Sequence, residues 1–121
     1  MSRNLNLYLQ DICICINKIE NYVGNMGYSD FIQDAKTLDA VIHNLLIIGE
    51  ATKQIPDSLR QQYPEIPWRQ IAGLRDVIAH NYFRVNFQIV WDVIQVELEP
   101  LHKVIMIMLN DENQANEELH G

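Results

Sequence analysis

Cysteine is almost missing from this chain: Cys13 and Cys15 are the only two. On a helix, residues two apart point about 200° from each other, so these thiols can neither pair together nor share a metal. They are expected to stay reduced, buried as small apolar side chains. The four histidines stand far apart at positions 43, 80, 102 and 120, without zinc-ligand spacing. No metal site and no cofactor is expected, and His43 and His102 read as structural residues. No stretch approaches the roughly 20 apolar residues of a membrane span. The opening Met-Ser-Arg-Asn-Leu lacks the apolar core of a signal peptide. These absences point to a cytoplasmic protein with no membrane partner. Positive charge is also scarce, 9 basic against 16 acidic residues for a net charge of −7, which argues against broad coating of a nucleic acid. A glycine-rich phosphate loop, strand alternation and internal repeats are all lacking.

What the chain does have is helical periodicity. Leu5, Tyr8, Ile12, Cys15, Ile19 and Tyr22 recur at steps of three and four, predicting a first helix from about Asn4 to Val23 that Gly24 and Gly27 end. Ser29 and Asp34 are both candidate N-caps for the next helix. This second long helix reaches about Gln54 on Leu38, Val41, Leu45, Ile48, Thr52 and Ile55, widened by Leu46 and Ile47. Being apolar on most sides, it belongs at the centre of a bundle. Gly49 inside it costs about 1 kcal/mol of helix propensity, a concession that a close helix crossing explains. Glu50 is either a solvated acid or the partner of an arginine on another helix.

Pro56 ends that helix, Asp57 is placed to cap a short one through Tyr63, and Pro67 suits the first turn of the next. Trp68, Ile71, Leu74 and Ile78 form its core stripe, with Arg75 on the flank. The last helix begins near Asn86 and runs to about Leu109 on Phe87, Val90, Ile94, Leu98, Leu101, Ile105 and Met108. Its period passes straight through Pro100, which predicts a kinked but continuous helix. The stripe beside it, Val93, Val96, Val104 and Ile107, suits either the core or a subunit contact. The fold class is therefore all-α, an up-and-down bundle of four to five helices. It forms one domain over residues 1–109, and residues 110–121 read as an acidic, disordered tail.

Charge is unevenly spread. Trp68 to Arg84 holds Arg69, Arg75 and Arg84 against Asp76 alone, whereas the segment after Trp91 has seven acids and only Lys103. RNA would meet a local basic pocket, with Arg69, Asn81 and Arg84 as candidate substrate contacts. Arg75, His80 and Tyr82 bring a guanidinium, an imidazole and a phenol within eight residues. Arginine is a permanently charged fork suited to phosphate oxygens, and histidine exchanges protons near neutral pH. A solvated arginine and a histidine favoured at a helix C-terminus by the macrodipole account for the same residues without catalysis. Five helical steps put Arg75 and His80 roughly 140° apart. Either the helix ends near Ala79 and Asn81, in a left-handed conformation, turns His80 back, or a second subunit completes the site.

Arg75-x4-His80-x-Tyr82, within Gly-Leu-Arg-Asp-Val-Ile-Ala-His-Asn-Tyr-Phe, resembles the motif of the HepT-like toxins of the HEPN superfamily. Ile47-Ile48-Gly49-Glu50-Ala51, Trp68 to Leu74, Val90-Trp91 and Leu98-Glu99-Pro100-Leu101 are similar in the same order, so the resemblance spans about Leu38 to Leu109. It implies a HEPN-like, homodimeric bundle whose motifs face each other across the interface. It also implies the toxin half of a type VII HEPN/MNT pair, opposed by a cognate MntA-like nucleotidyltransferase antitoxin. The implied activity is a metal-independent endoribonuclease cutting tRNA or mRNA to a 2′,3′-cyclic phosphate, with Arg75 and His80 catalytic. The family's tyrosine at the place of Tyr82 is an acceptor of AMP from ATP, which silences the toxin. The competing reading is a non-catalytic helical module that docks a nucleotidyltransferase; a plain structural helical domain is a third.

Overall fold

The computed structural model describes residues 4–120. Met1 to Arg3, the start of the expected leaderless N-terminus, and Gly121, the end of the expected tail, lie outside the described residues.

Four long helical stretches make the bundle, in the order the periodicity predicts: α1 (Leu5–Val23), α3 (Ala35–Thr52), α5 (Trp68–His80) and a C-terminal rod. The rod comprises α6 (Phe87–Asp92), a π-helical turn (Val93–Glu97) and α7 (Leu98–His120). Short helices α2 (Tyr28–Gln33) and α4 (Asp57–Arg60) and a 3-10 turn (Tyr82–Arg84) fill the connections. No strand occurs among the described residues.

Local chemistry sets the boundaries. The Asn4 side chain accepts from the Asn6 N–H and opens α1. Gly24, at φ 52°, closes it by donating its N–H to the Glu20 carbonyl, a left-handed cap that only glycine adopts without strain. Of the two candidate caps it is Asp34 that starts α3, its carboxylate accepting from the Thr37 N–H; the Ser29 hydroxyl instead accepts from Gln33 Nε2. Asp57 caps nothing. It lies in the first turn of α4, ion-paired with Arg60, and that helix stops at Arg60 rather than Tyr63. Trp68 fixes the start of α5 by donating its indole N–H to the carbonyls of Tyr63 (3.0 Å) and Arg60 (3.1 Å). Asn86 caps α6 with bonds from the Gln88 and Ile89 N–H groups.

The central place expected for α3 is what the structure shows: it packs against α1 on one side and α5 on the other, with α2 beside it, while α7 covers α1. Its neighbours run antiparallel to it. Tyr8 near the start of α1 lies by Glu50 and Ala51, and Tyr82 after the end of α5 lies by Asp39 near the start of α3. The α1 core face is rotated slightly from the predicted stripe: Leu9, Ile16 and Val23 are buried, whereas Tyr22 is exposed. Cys15 is buried as expected, but Cys13 is only half-buried, its thiol 3.8 Å from Met106 Sδ. Burial pushes both thiols up. Phe31 and Tyr28 of α2 pack on Trp91, at ring-centroid distances of 5.1 Å and 6.0 Å.

The last helix runs on through Pro100 as the sequence predicts. Its distortion falls one turn before Pro100, where the Leu98 N–H reaches the Val93 carbonyl in a widened π turn. Pro100 has no N–H to give and its ring crowds the Val96 carbonyl, so an adjacent wide turn absorbs the misfit. The expected end at Leu109 needs correction: α7 continues to His120, through the segment read as an acidic tail. The segment contains neither proline nor glycine before Gly121, so no backbone breaker ends the helix. Of the flanking stripe, Val93 and Val104 join the core while Val96 and Ile107 face solvent.

Candidate functional site at the seam of α3 and α5

Gly49 determines where Arg75 sits. A Cβ built on Gly49 would come within 2.7 Å of Arg75 Cγ and closer still to Arg75 Cβ. The stem of Arg75 therefore crosses α3 at the one residue without a side chain. The glycine that costs α3 propensity is the seat of the arginine.

From there the guanidinium is held by carboxylates on both helices. Its Nη2 pairs with Glu50 on α3, settling the two readings of that acid, and Nη1 donates to Asp76 Oδ1 at 3.1 Å. Lys53 donates to the same Asp76 oxygen at 2.5 Å. The Lys53 ammonium first, and the Arg75 guanidinium with it, hold the Asp76 carboxyl below its usual range. Two cations and two carboxylates thus neutralise one another along the seam. The Arg75 side chain is 20% exposed, and its Nε is buried without a hydrogen-bond partner among the described residues. Beside it a groove of about 300 Å³ runs past Glu50, Ala51, Leu46 and Ala79 to Tyr8 and Asp11 of α1.

His80 is elsewhere on the helix. α5 stays helical through His80 and is capped by Asn81 at φ −153°, ψ 54°. Asn81 is thus not left-handed, and no described residue other than glycine has positive φ. The sequence left open a turn that would swing His80 back toward Arg75; the chain does not make it. His80 is exposed, at the negative end of the α5 dipole, and does not line the Arg75 groove. Tyr82 does return to the seam. It is half-exposed, meets Phe83 edge-on at 6.0 Å, and lines a second groove with Asp39, His43 and Leu46. Phe83 itself is fully exposed.

The local basic pocket expected around Arg69, Arg75 and Arg84 is not assembled on one chain. Arg69 lines a separate groove beside α4 with Arg60, and Arg84 lines a third with Val77 and Ile89. Lys53, Asp76, Asp39 and His43 were not singled out as site residues by sequence reasoning. One signal was available: Asp39, His43, Leu46 and Glu50 recur at steps of four, three and four, a second stripe on α3 parallel to its core face. Among the described residues no three His, Cys, Asp or Glu side chains are grouped to hold a metal ion, and no helix is long and apolar enough to cross a membrane.

The order of elements and the Gly49–Arg75 seat can be set beside known proteins. The chain is 41% identical over 101 residues to the protein named "Probable ribonuclease HepT" of Thermococcus cleftensis, covering 84% of this chain and 92% of that one. It is 36% identical over 109 residues to "Putative RNase MJ0125" of Methanocaldococcus jannaschii, covering 90% and 94%. It is 35% identical over 105 residues to "Putative RNase TTE0752" of Caldanaerobacter subterraneus, covering 87% and 94%. No solved structure matches with significance. A profile of the family described as Ribonuclease HepT-like matches residues 12–108, nearly the whole bundle, and the chain belongs to that family of the HEPN superfamily.

Proposed function

We propose that this protein is a metal-independent endoribonuclease and the toxin of a HEPN/MNT pair. The observation that carries the reading is the seating of Arg75: its stem is locked over Gly49 and its fork is aimed by Glu50 and Asp76 at the edge of an open groove. A preorganised guanidinium is what a developing phosphoryl charge needs, because it reorganises little as the reaction proceeds. The RNA 2′-hydroxyl attacks the adjacent phosphorus, the P–O5′ bond breaks, and a 2′,3′-cyclic phosphate remains. One histidine takes the hydroxyl proton and another protonates the leaving O5′, roles that general acid–base catalysis gives to imidazole most often. On a single chain Arg75 and His80 diverge, since the helix between them is unbroken. A homodimer supplies the second His80 and lets one copy's arginine work with the other's histidine. Arg69, Asn81 and Arg84 then serve as outlying substrate contacts.

Tyr82 is the proposed control point. Its phenol oxygen attacks the α-phosphorus of ATP on a cognate MntA-like nucleotidyltransferase, pyrophosphate leaves, and the phenolic proton passes to that enzyme. The half-exposed ring at the rim of the seam supports this access. The resulting phosphodiester brings negative charge and a bulky base to the entrance that RNA would use.

One observation favours the non-catalytic alternative: both Arg75 terminal nitrogens are already paired with carboxylates, as in an inter-helix clamp. The two readings part on His80, which is exposed and which no clamp requires. His80→Ala is expected to lower RNA cleavage by roughly 100- to 10,000-fold and to relieve growth inhibition, with stability changed by under about 0.5 kcal/mol. Arg75→Ala is expected to abolish cleavage too, and wild-type cleavage to persist in EDTA. Full activity in the His80→Ala protein refutes the nuclease assignment.

A further inference from the structure

The groove next to the Arg75 site sets two exposed polar side chains of α3 at the edge of an apolar floor. Asp39 and His43 stand one turn apart on α3, where residues four apart are neighbours, and line it together with Tyr82. Its floor is apolar, made by Ile42, Leu46 and Ile78, and its volume is about 480 Å³. Among the described residues the side chains of Asp39 and His43 make no hydrogen bond or ion pair, in contrast to those of Glu50, Asp76 and Lys53 along the same seam. Leu46 and Ala79 line both this groove and the one beside Arg75, so the two share a wall. Ala79 is one helical turn, roughly 6 Å, from Arg75. A phosphate group at Arg75 therefore has this groove as its next subsite.

We infer that the groove is a nucleobase subsite that selects guanine through Asp39 and His43. The inference rests on the RNA-cleaving reading of the Arg75 site. A carboxylate repels a second phosphate but accepts two parallel N–H bonds well. Guanine alone among the four bases offers such a pair on one edge, its N1–H and its N2 amino group, with the O6 acceptor beside them for a histidine N–H. Adenine and cytosine present a single amino group there, and uracil a single ring N–H. The Tyr82 ring and the aliphatic floor cover the faces of the base, a contact every base can make, so the polar pair carries the choice.

The test uses the full chain and the four ribonucleoside 3′-monophosphates, whose phosphate can occupy Arg75 while the base enters the groove. Amide chemical shifts are followed in titrations, with RNA cleavage measured in parallel. Guanosine 3′-monophosphate should bind tightest and shift amides around residues 39–46 and 78–82. Asp39→Asn should weaken it by about tenfold or more, or ~1.4 kcal/mol, because the amide presents a donor to guanine's donors, while uridine 3′-monophosphate changes little. His43→Ala should narrow the same preference, with helical circular dichroism retained in both variants. Guanine-selective shifts in a protein that cuts no RNA would keep the subsite and remove the nuclease reading. Cleavage with four equal affinities, or with shifts mapping elsewhere, would overturn the subsite alone. Shifts in the groove that follow protein concentration rather than nucleotide would make the face a contact between copies of the chain, and would overturn it too.

Discussion

Replacing Gly49 by alanine sets two physical effects against each other with opposite signs. In an isolated helix the change stabilises by about 1 kcal/mol, since alanine is the better helix former. Here the new methyl would lie 2.7 Å from Arg75 Cγ, nearer still to Arg75 Cβ, and 3.4 Å from the Ile71 carbonyl oxygen. None of these atoms is the loose end of a side chain. All are rooted in the α5 backbone, so relief requires α5 to move off α3. Overpacking of this kind costs roughly 1–3 kcal/mol. With the propensity gain subtracted, a net loss of about 1 kcal/mol is expected, or a fall in Tm of about 4 °C for a chain of this size. Thermal unfolding followed by circular dichroism reads it directly. A second readout ties the effect to the site. Once α5 shifts, Arg75 leaves Glu50, so Glu50→Gln should change stability less in the Gly49→Ala background than in the wild type. Residual RNA cleavage should fall with it. If Gly49→Ala instead raises Tm by about 4 °C, propensity has won, and the close crossing that seats Arg75 is refuted.

The pH dependence of stability should report Asp76. Lys53 and Arg75 depress its folded pKa, so its pairing stabilises the protein above the ordinary carboxylate value of 3.8 and is lost as pH falls through the lower folded value. The Tm gap between wild type and Asp76→Asn should accordingly be constant above about pH 5 and close as the pH falls below that of an unfolded carboxylate; an unchanging gap down to pH 2 contradicts the ion pair. Light scattering should return about twice the 14.1 kDa chain mass. A monomer that still cuts RNA would place both catalytic roles on one chain. Co-expression with a cognate nucleotidyltransferase should add AMP masses to the native chain and not to Tyr82→Phe. An adduct that persists on the variant would put the acceptor elsewhere.

The sequence alone located the four long helical stretches and most of their core faces. Steps of three and four placed α1, α3, α5 and the C-terminal rod, and Asn4, Gly24, Asp34 and Asn86 ended or began them through bonds that reach only a few residues. Such signals are local, so one chain read in order contains them. The apolar breadth of α3 also put it at the centre, and Gly49 announced a close crossing, because both are costs that only a neighbouring helix repays. The sequence did not say which side chain crosses there. That Arg75 lies on Gly49, between Glu50 and Asp76 with Lys53 behind, depends on the antiparallel register of α3 and α5, which no local pattern encodes. The same register splits the motif. Arg75 lies at the seam beside Glu50 and Tyr82 at the seam beside Asp39 and His43, while an unbroken helix carries His80 to another face. Arg69, Arg75 and Arg84, one basic cluster along the chain, likewise end in three separate grooves. Residues at 100° intervals on a rigid rod are parted by geometry however close they stand in sequence, and only packing decides which of them face a common space.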